Sequence, residues 1–188
     1  MDSSEAVTDA IPWVGGTFDA DVYISAVDSD DVAVSADSLG WVTHLRRALT
    51  IRLAQFLGDK PVVRNAQLKD AATLKNRGRR PAVFVAVVSP GYVSSVTARQ
   101  ELADCRARIF KAMKAPVRVD QQPRKLQSLL GYEFFVTDPD SGEWRELDAA
   151  FGPETKQSFW LRLDDMVYDI AKALQELRHE PTDTPSRT

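Results

Sequence analysis

Glu101 is the residue of this chain whose setting most clearly points to chemistry. It follows Ser89-Pro90-Gly91-Tyr92-Val93-Ser94-Ser95, a polar stretch that closes the unbroken apolar run Ala82 to Val88. Ser94, Ser95 and Thr97 offer N-cap oxygens for a helix, and Thr97 with Gln100 fits a capping box. Leu102, Cys105 and Ile109 then recur at a spacing that predicts one buried stripe of that helix. Glu101 falls beside the stripe in the opening turns, where the positive end of the helix dipole favours an ionised carboxylate. A carboxylate held at the mouth of a sheet can do chemistry; a glutamate in a first turn is also an ordinary helix starter.

The other reactive residue types are less pointed. Asp28, Asp30 and Asp31 cluster after the first strand. They read as a solvated loop or as the magnesium site of a phospho-receiver. A receiver also needs a phosphorylatable aspartate at the end of its third strand, and Ser89-Pro90 stands there. Cys105 lies on the apolar stripe and reads as a small core residue. His44 and His179 are far apart with no cysteine at metal spacing, so no metal site is expected. The basic runs Arg77-Gly78-Arg79-Arg80 and Arg106 to Lys114 are local and read as solvated faces.

Composition narrows the class. In 188 residues, 44% hydrophobic and 27% charged describe an ordinary globular protein, and a net charge of -3 gives no reason to expect a nucleic-acid partner. No apolar segment is long enough to span a bilayer and no secretory signal opens the chain. A single cysteine excludes an internal disulfide framework and suits a reducing cytoplasm. One domain over residues 13–179 is expected, between a disordered N-terminus (1–12) and a disordered tail (180–188).

The elements that must position Glu101 follow from periodicity. Ala82 to Val88 predicts a strand buried on both faces, central in a parallel sheet. Asp21 to Val27 is the first strand and Lys60 to Arg64 a short second one, with Trp13 expected as a lid on the sheet. Val42, Leu45, Leu49, Leu53 and Phe56 predict an amphipathic helix over Trp41 to Leu57, ended by Gly58-Asp59. Asn65 to Asn76 reads as a loop with one weak helical turn. Ile109 to Val119 allows a fourth strand, placed near the sheet edge because Pro116 interrupts it. A helical turn at Leu126 to Leu130 comes next. Tyr132 to Thr137 is a strand, and Asp138 to Gly142 turns it into a hairpin with Glu143 to Leu147. Pro153 opens a last helix whose stripe is Trp160, Leu163, Val167, Ile170, Leu174 and Leu177. Alternation of strand and helix gives an α/β class with a parallel sheet covered on both faces. Ligands in such sheets bind beyond the carboxyl ends of the strands. The loops after the first three strands converge there, and Glu101 follows the third.

DVYISAV, an amphipathic helix, a short strand with a polar loop, and AVFVAVVSPGYVSS followed by QEL together resemble a TIR (Toll/interleukin-1 receptor) domain over about residues 20–115. The hairpin between Tyr132 and Leu147 resembles the bacterial type. The resemblance implies a flavodoxin-like doubly wound parallel sheet with helices on both faces, then the hairpin and a long helix. It implies one of two functions. Many TIR domains cleave NAD+ at the nicotinamide–ribose bond, often as immune effectors active on assembly; others are non-catalytic adaptors that pair with TIR partners. In the enzymes the catalytic carboxylate is the glutamate before the leucine of the SP…EL segment, here Glu101. By position the NAD+ contacts are Ser25, Ala26, Val27 and Asp28 after the first strand, Arg64, Asn65 and Leu68 after the second, and Ser89. NAD+ is then substrate, and no bound cofactor is implied. The implied partners are further TIR domains in a homo-oligomer, and a sensor domain fused to the chain or encoded beside it. Ala26, Thr97, Ala98 and Asn65 stand where many members carry an aromatic, a tryptophan or cysteine, and an aspartate, which implies weaker stacking on a nucleobase.

Overall fold

Val-rich and continuous, the segment Pro81–Val88 forms β3, buried from Ala82 onward. The computed structural model describes residues 11–65, 80–148 and 152–179. Around β3 lie β1 (Ala20–Ser25), β2 (Val63–Asn65), β4 (Arg108–Met113) and β5 (Gly131–Glu133), in the order β2-β1-β3-β4-β5. All four pairings are parallel. Parallel neighbours need crossovers, and the helices of those crossovers cover the sheet. Val22, Ile24, Val83, Val85 and Val87 face α1 (Trp41–Leu57) and α5 (Pro153–His179). Phe84, Ala86 and Val88 face α2 (Pro90–Ser94), α3 (Val96–Asp104) and α4 (Arg124–Gln127). A separate hairpin joins β6 (Phe135–Thr137) to β7 (Trp144–Glu146) antiparallel.

Two glycines bound α1. Gly58 ends it in the left-handed conformation (φ 73°). Gly40 precedes it because nothing larger fits: a Cβ there would stand 2.1 Å from the Asp31 carbonyl oxygen. The Asp31 carboxylate replaces the missing cap, accepting from the Thr43 N–H and hydroxyl at 2.7 Å each. Arg52 and Asp164 bind α1 to α5 through a bidentate pair.

Several sequence expectations need correction. The helix bearing Glu101 ends at Asp104, so Ile109 lies in β4 although it packs on the same cluster as Leu102 and Cys105. Its cap is Ser95, whose hydroxyl accepts from the Ala98 N–H; Gln100 bonds Asp104, and no Thr97–Gln100 box forms. β4 stands next to the edge strand β5, but it ends at Met113, so Pro116 falls beyond it and does not interrupt it. Tyr132 to Thr137 is two strands divided at Phe134, whose N–H bonds the Met113 carbonyl and whose carbonyl takes the Leu147 N–H. Phe56 is 48% exposed rather than core. Trp13 packs against the α1/α5-side core and is covered by the Arg178 guanidinium at 4.2 Å. The expectations for residues 1–10, for the loop 66–76 and for the tail 180–188 lie outside the described residues. Among the described residues, no helix is long and apolar enough to cross a membrane.

Candidate functional site

The carboxyl end of β1 and the α3 helix meet at Glu101. β1 alternates faces, so Tyr23 and Ser25 share the α3 side, and both reach the carboxylate. Ser25 donates to Oε2 at 2.7 Å and Tyr23 donates to Oε1 at 3.3 Å. Tyr92, from α2, donates to the Ser25 oxygen at 3.2 Å. Burial pushes the Glu101 carboxyl above the usual range, while the Ser25 and Tyr23 bonds pull it back. Burial also pushes the Tyr92 phenol far up, so it remains a donor. Glu101 sits past the first turn of α3, so burial, opposed by the hydroxyl donors, governs its ionisation rather than the helix dipole. Among the described residues it has no cationic partner within ion-pair distance.

A second network fixes the loop after β1. Asp28–Asp30 forms a 3-10 turn, and the buried Asp30 accepts from the Ser89 hydroxyl at 2.6 Å. Lys114 lies 3.8 Å from the other Asp30 oxygen and 2.6 Å from Glu146 of the hairpin. Its ammonium also stands over the Trp41 ring at 5.7 Å. The Trp41 indole N–H donates to the Leu147 carbonyl, so the hairpin closes over the start of α1. Burial raises the Asp30 carboxyl; Ser89 and Lys114 oppose that rise.

The residues expected around the ligand divide. Ser25 touches Glu101 directly. Arg64 is in register with Tyr23 in the adjacent strand, hence on the Glu101 face, whereas Asn65 is in register with Ile24 and falls on the other. Ala26 is buried in the α1/α5-side core and Val27 packs on the opposite cluster. Asp28 is exposed at the turn. Ser89 is buried, with its proton on Asp30 and a lone pair accepting from the Tyr92 N–H at 3.0 Å. Leu68 is outside the described residues. Of the acid cluster, Asp31 caps α1 and Asp30 is engaged by Ser89 and Lys114. Tyr23 and Tyr92 were not singled out in the sequence; period-2 alternation from Ser25 points to the first, and nothing local points to the second phenol. A carboxylate whose partners among the described residues are neutral hydroxyls can stabilise a cation developing beside it or accept hydrogen bonds from the hydroxyls of a bound sugar. No protein-family model matches the chain, and no curated protein matches it.

Proposed function

We propose that the chain is a TIR-type NAD+ glycohydrolase that breaks the nicotinamide–ribose bond, with Glu101 as its catalytic carboxylate. The observation carrying this reading is a partly buried carboxylate at the carboxyl end of a parallel sheet, held by the Ser25 and Tyr23 hydroxyls and, among the described residues, without an opposing cation. The strand order β2-β1-β3-β4-β5, with helices on both faces, supports assigning the sheet to the flavodoxin-like plan, whose ligands bind at this end. Nicotinamide leaves as a neutral base because it departs from a positively charged ring. The ribose left behind has oxocarbenium character, and a negative charge close to it lowers the barrier. Glu101 supplies that charge and accepts hydrogen bonds from ribose hydroxyls; water then completes hydrolysis. The activity belongs to an assembled, cytoplasmic form, with Arg64 near the substrate phosphates.

The test is incubation of concentrated protein with NAD+ under crowding, with chromatography of free nicotinamide. Release by the wild type and none by a folded Glu101→Ala variant is expected. No release under any assembling condition refutes the enzyme reading. A non-catalytic module acting by TIR–TIR contact would then stand. One observation favours that second reading: Phe56 and Tyr168, 48% and 60% exposed, pack edge-to-face on the outer surface of α1 and α5.

A further inference from the structure

We propose that Tyr92 is a positioning residue for Glu101 and acts through Ser25, the two hydroxyls fixing the Oε2 edge of the carboxylate and leaving Oε1 as the edge that meets substrate. The catalytic half of this proposal rests on Glu101 being the carboxylate of the glycohydrolase. Direction in the chain follows from proton counting. A serine hydroxyl has one proton and two lone pairs. At 2.7 Å the carboxylate oxygen takes that proton, so the Ser25 oxygen accepts from the Tyr92 phenol at 3.2 Å.

Both donors are rigid. Ser25 and Tyr92 are each 0% exposed, Ser25 as part of β1 and Tyr92 packed with Ala86, Ala98 and Leu102. The Tyr92 backbone is tied as well, its N–H donating to Ser89, whose hydroxyl donates to Asp30. The position of the phenol oxygen is therefore set by the core and the rim network rather than by solvent. Oε1 differs: its contact with the Tyr23 hydroxyl is 3.3 Å long, beyond the usual range for O–H···O. A ribose hydroxyl can replace that weak contact at small cost while the short Ser25 bond holds the group in place. A glutamate side chain has three torsions to fix, and one firm anchor removes most of that freedom before substrate arrives. Among the described residues, Cys105 acts on the Tyr92 phenol, and Arg64 lies in register with Tyr23 on the same face of the sheet.

The experiment pairs a carbon-detected NMR titration of the Glu101 carboxyl with NAD+ turnover in the wild type, Tyr92→Phe, Ser25→Ala and Ser25→Thr. Tyr92→Phe keeps the ring and therefore the packing. Loss of a bond that favours the ionised form raises the Glu101 pKa in Tyr92→Phe and further in Ser25→Ala. Turnover in Tyr92→Phe falls on the order of tenfold to a hundredfold in kcat with KM nearly constant, as expected for a misplaced catalytic group. Ser25→Thr, which keeps the hydroxyl, restores both. An unchanged Glu101 titration in Tyr92→Phe overturns the proposal whatever happens to turnover, because a fall in rate alone would mean general damage. A wild type that releases no nicotinamide ends the enzyme reading and the catalytic half with it. The titration then still decides whether the two hydroxyls hold the carboxylate.

Discussion

Replacing Lys114 with methionine removes the charge that joins the first loop to the hairpin while keeping most of the side chain's volume. Lys114 stands 2.6 Å from Glu146 and 3.8 Å from Asp30, and the three side chains retain only 14%, 19% and 8% of their exposure. At such a separation the attraction is about 4 kcal/mol at an effective dielectric of about 20. Desolvation offsets part of this, yet deleting one partner of a buried pair costs about 3–5 kcal/mol because the others stay behind uncompensated. Residual water contact at all three groups places Lys114→Met at the low end, about 3 kcal/mol. With a urea slope of about 2–3 kcal/mol per molar, the midpoint at pH 7 should fall by about 1–1.5 M. Acid should narrow the gap. Burial already raises the Asp30 carboxyl, and without Lys114 it rises further. A carboxyl with a raised folded value penalises the fold only while ionised, so the penalty is absent below its ordinary value of 3.8 and sets in as pH rises through the raised one. Urea unfolding followed by circular dichroism at pH 7, 5 and 4 measures both effects. Removing Glu146 as well, as Lys114→Met/Glu146→Gln, should recover part of the loss, since coupled neighbours are not additive. A midpoint shift at pH 7 below about 0.3 M, or a gap that widens in acid, would refute the buried-network account.

Glu101→Gln is expected to melt at a higher temperature than the wild type at pH 7. Burial holds the carboxyl above its ordinary value, so its favourable contribution is complete below that value and lost as pH rises through the raised one. The difference should vanish as pH falls toward 4; a variant less stable than wild type at pH 7 would show that the hydroxyl bonds outweigh burial. Gly40→Ala should cost about 2–4 kcal/mol, combining an overpacked contact with loss of the Asp31 cap, because its Cβ would lie 2.1 Å from the Asp31 backbone oxygen; an unchanged urea midpoint would contradict that contact. Val85→Asp, at a position with 0% exposure, should leave no cooperatively folded protein, since an unpaired buried charge costs several kcal/mol; a soluble variant with a sharp melt would unseat β3 from the centre.

What the sequence made legible was whatever depends on a strong local period. β3 is a continuous apolar run and α1 repeats its leucines on one face, so both stand where expected, α1 with the same limits. Boundaries failed where several residues compete for one role. Ser94, Ser95 and Thr97 can all cap a helix, and the chain uses Ser89 for the short α2 and Ser95 for α3. The far end of β4 is another such boundary: the apolar pattern runs on to Val119, yet the strand ends at Met113, before Pro116. The Tyr132 to Thr137 run concealed a change of partner at Phe134, a decision made by Met113 and Leu147 and not by the run itself. The same distinction governs the site. Glu101 follows from topology, since α3 follows the loop at the carboxyl edge of β3, and Ser25 from its position in the TIR-like first strand. The partners of Asp30 do not, because Ser89, Lys114 and Glu146 reach it or one another across three strands and a hairpin.

The two polar networks share a residue, and this gives the hairpin a bearing on the carboxylate. Glu146 holds Lys114, Lys114 faces Asp30, and Asp30 accepts from Ser89. Ser89 caps the short α2 at Tyr92, whose phenol reaches Ser25 and through it Glu101. The Glu146–Lys114, Ser89–Asp30 and Ser25–Glu101 contacts are short (2.6, 2.6 and 2.7 Å) and most of the groups are buried, so displacement at one end is not absorbed by solvent along the way. Lys114→Met therefore separates two ideas. If the rim network merely stabilises the fold, it lowers the urea midpoint and leaves the Glu101 titration as in the wild type. If the network also fixes α2, the same variant shifts that titration in the direction of Tyr92→Phe, by a smaller amount, because Tyr92 keeps its phenol and only its backbone anchor is loosened.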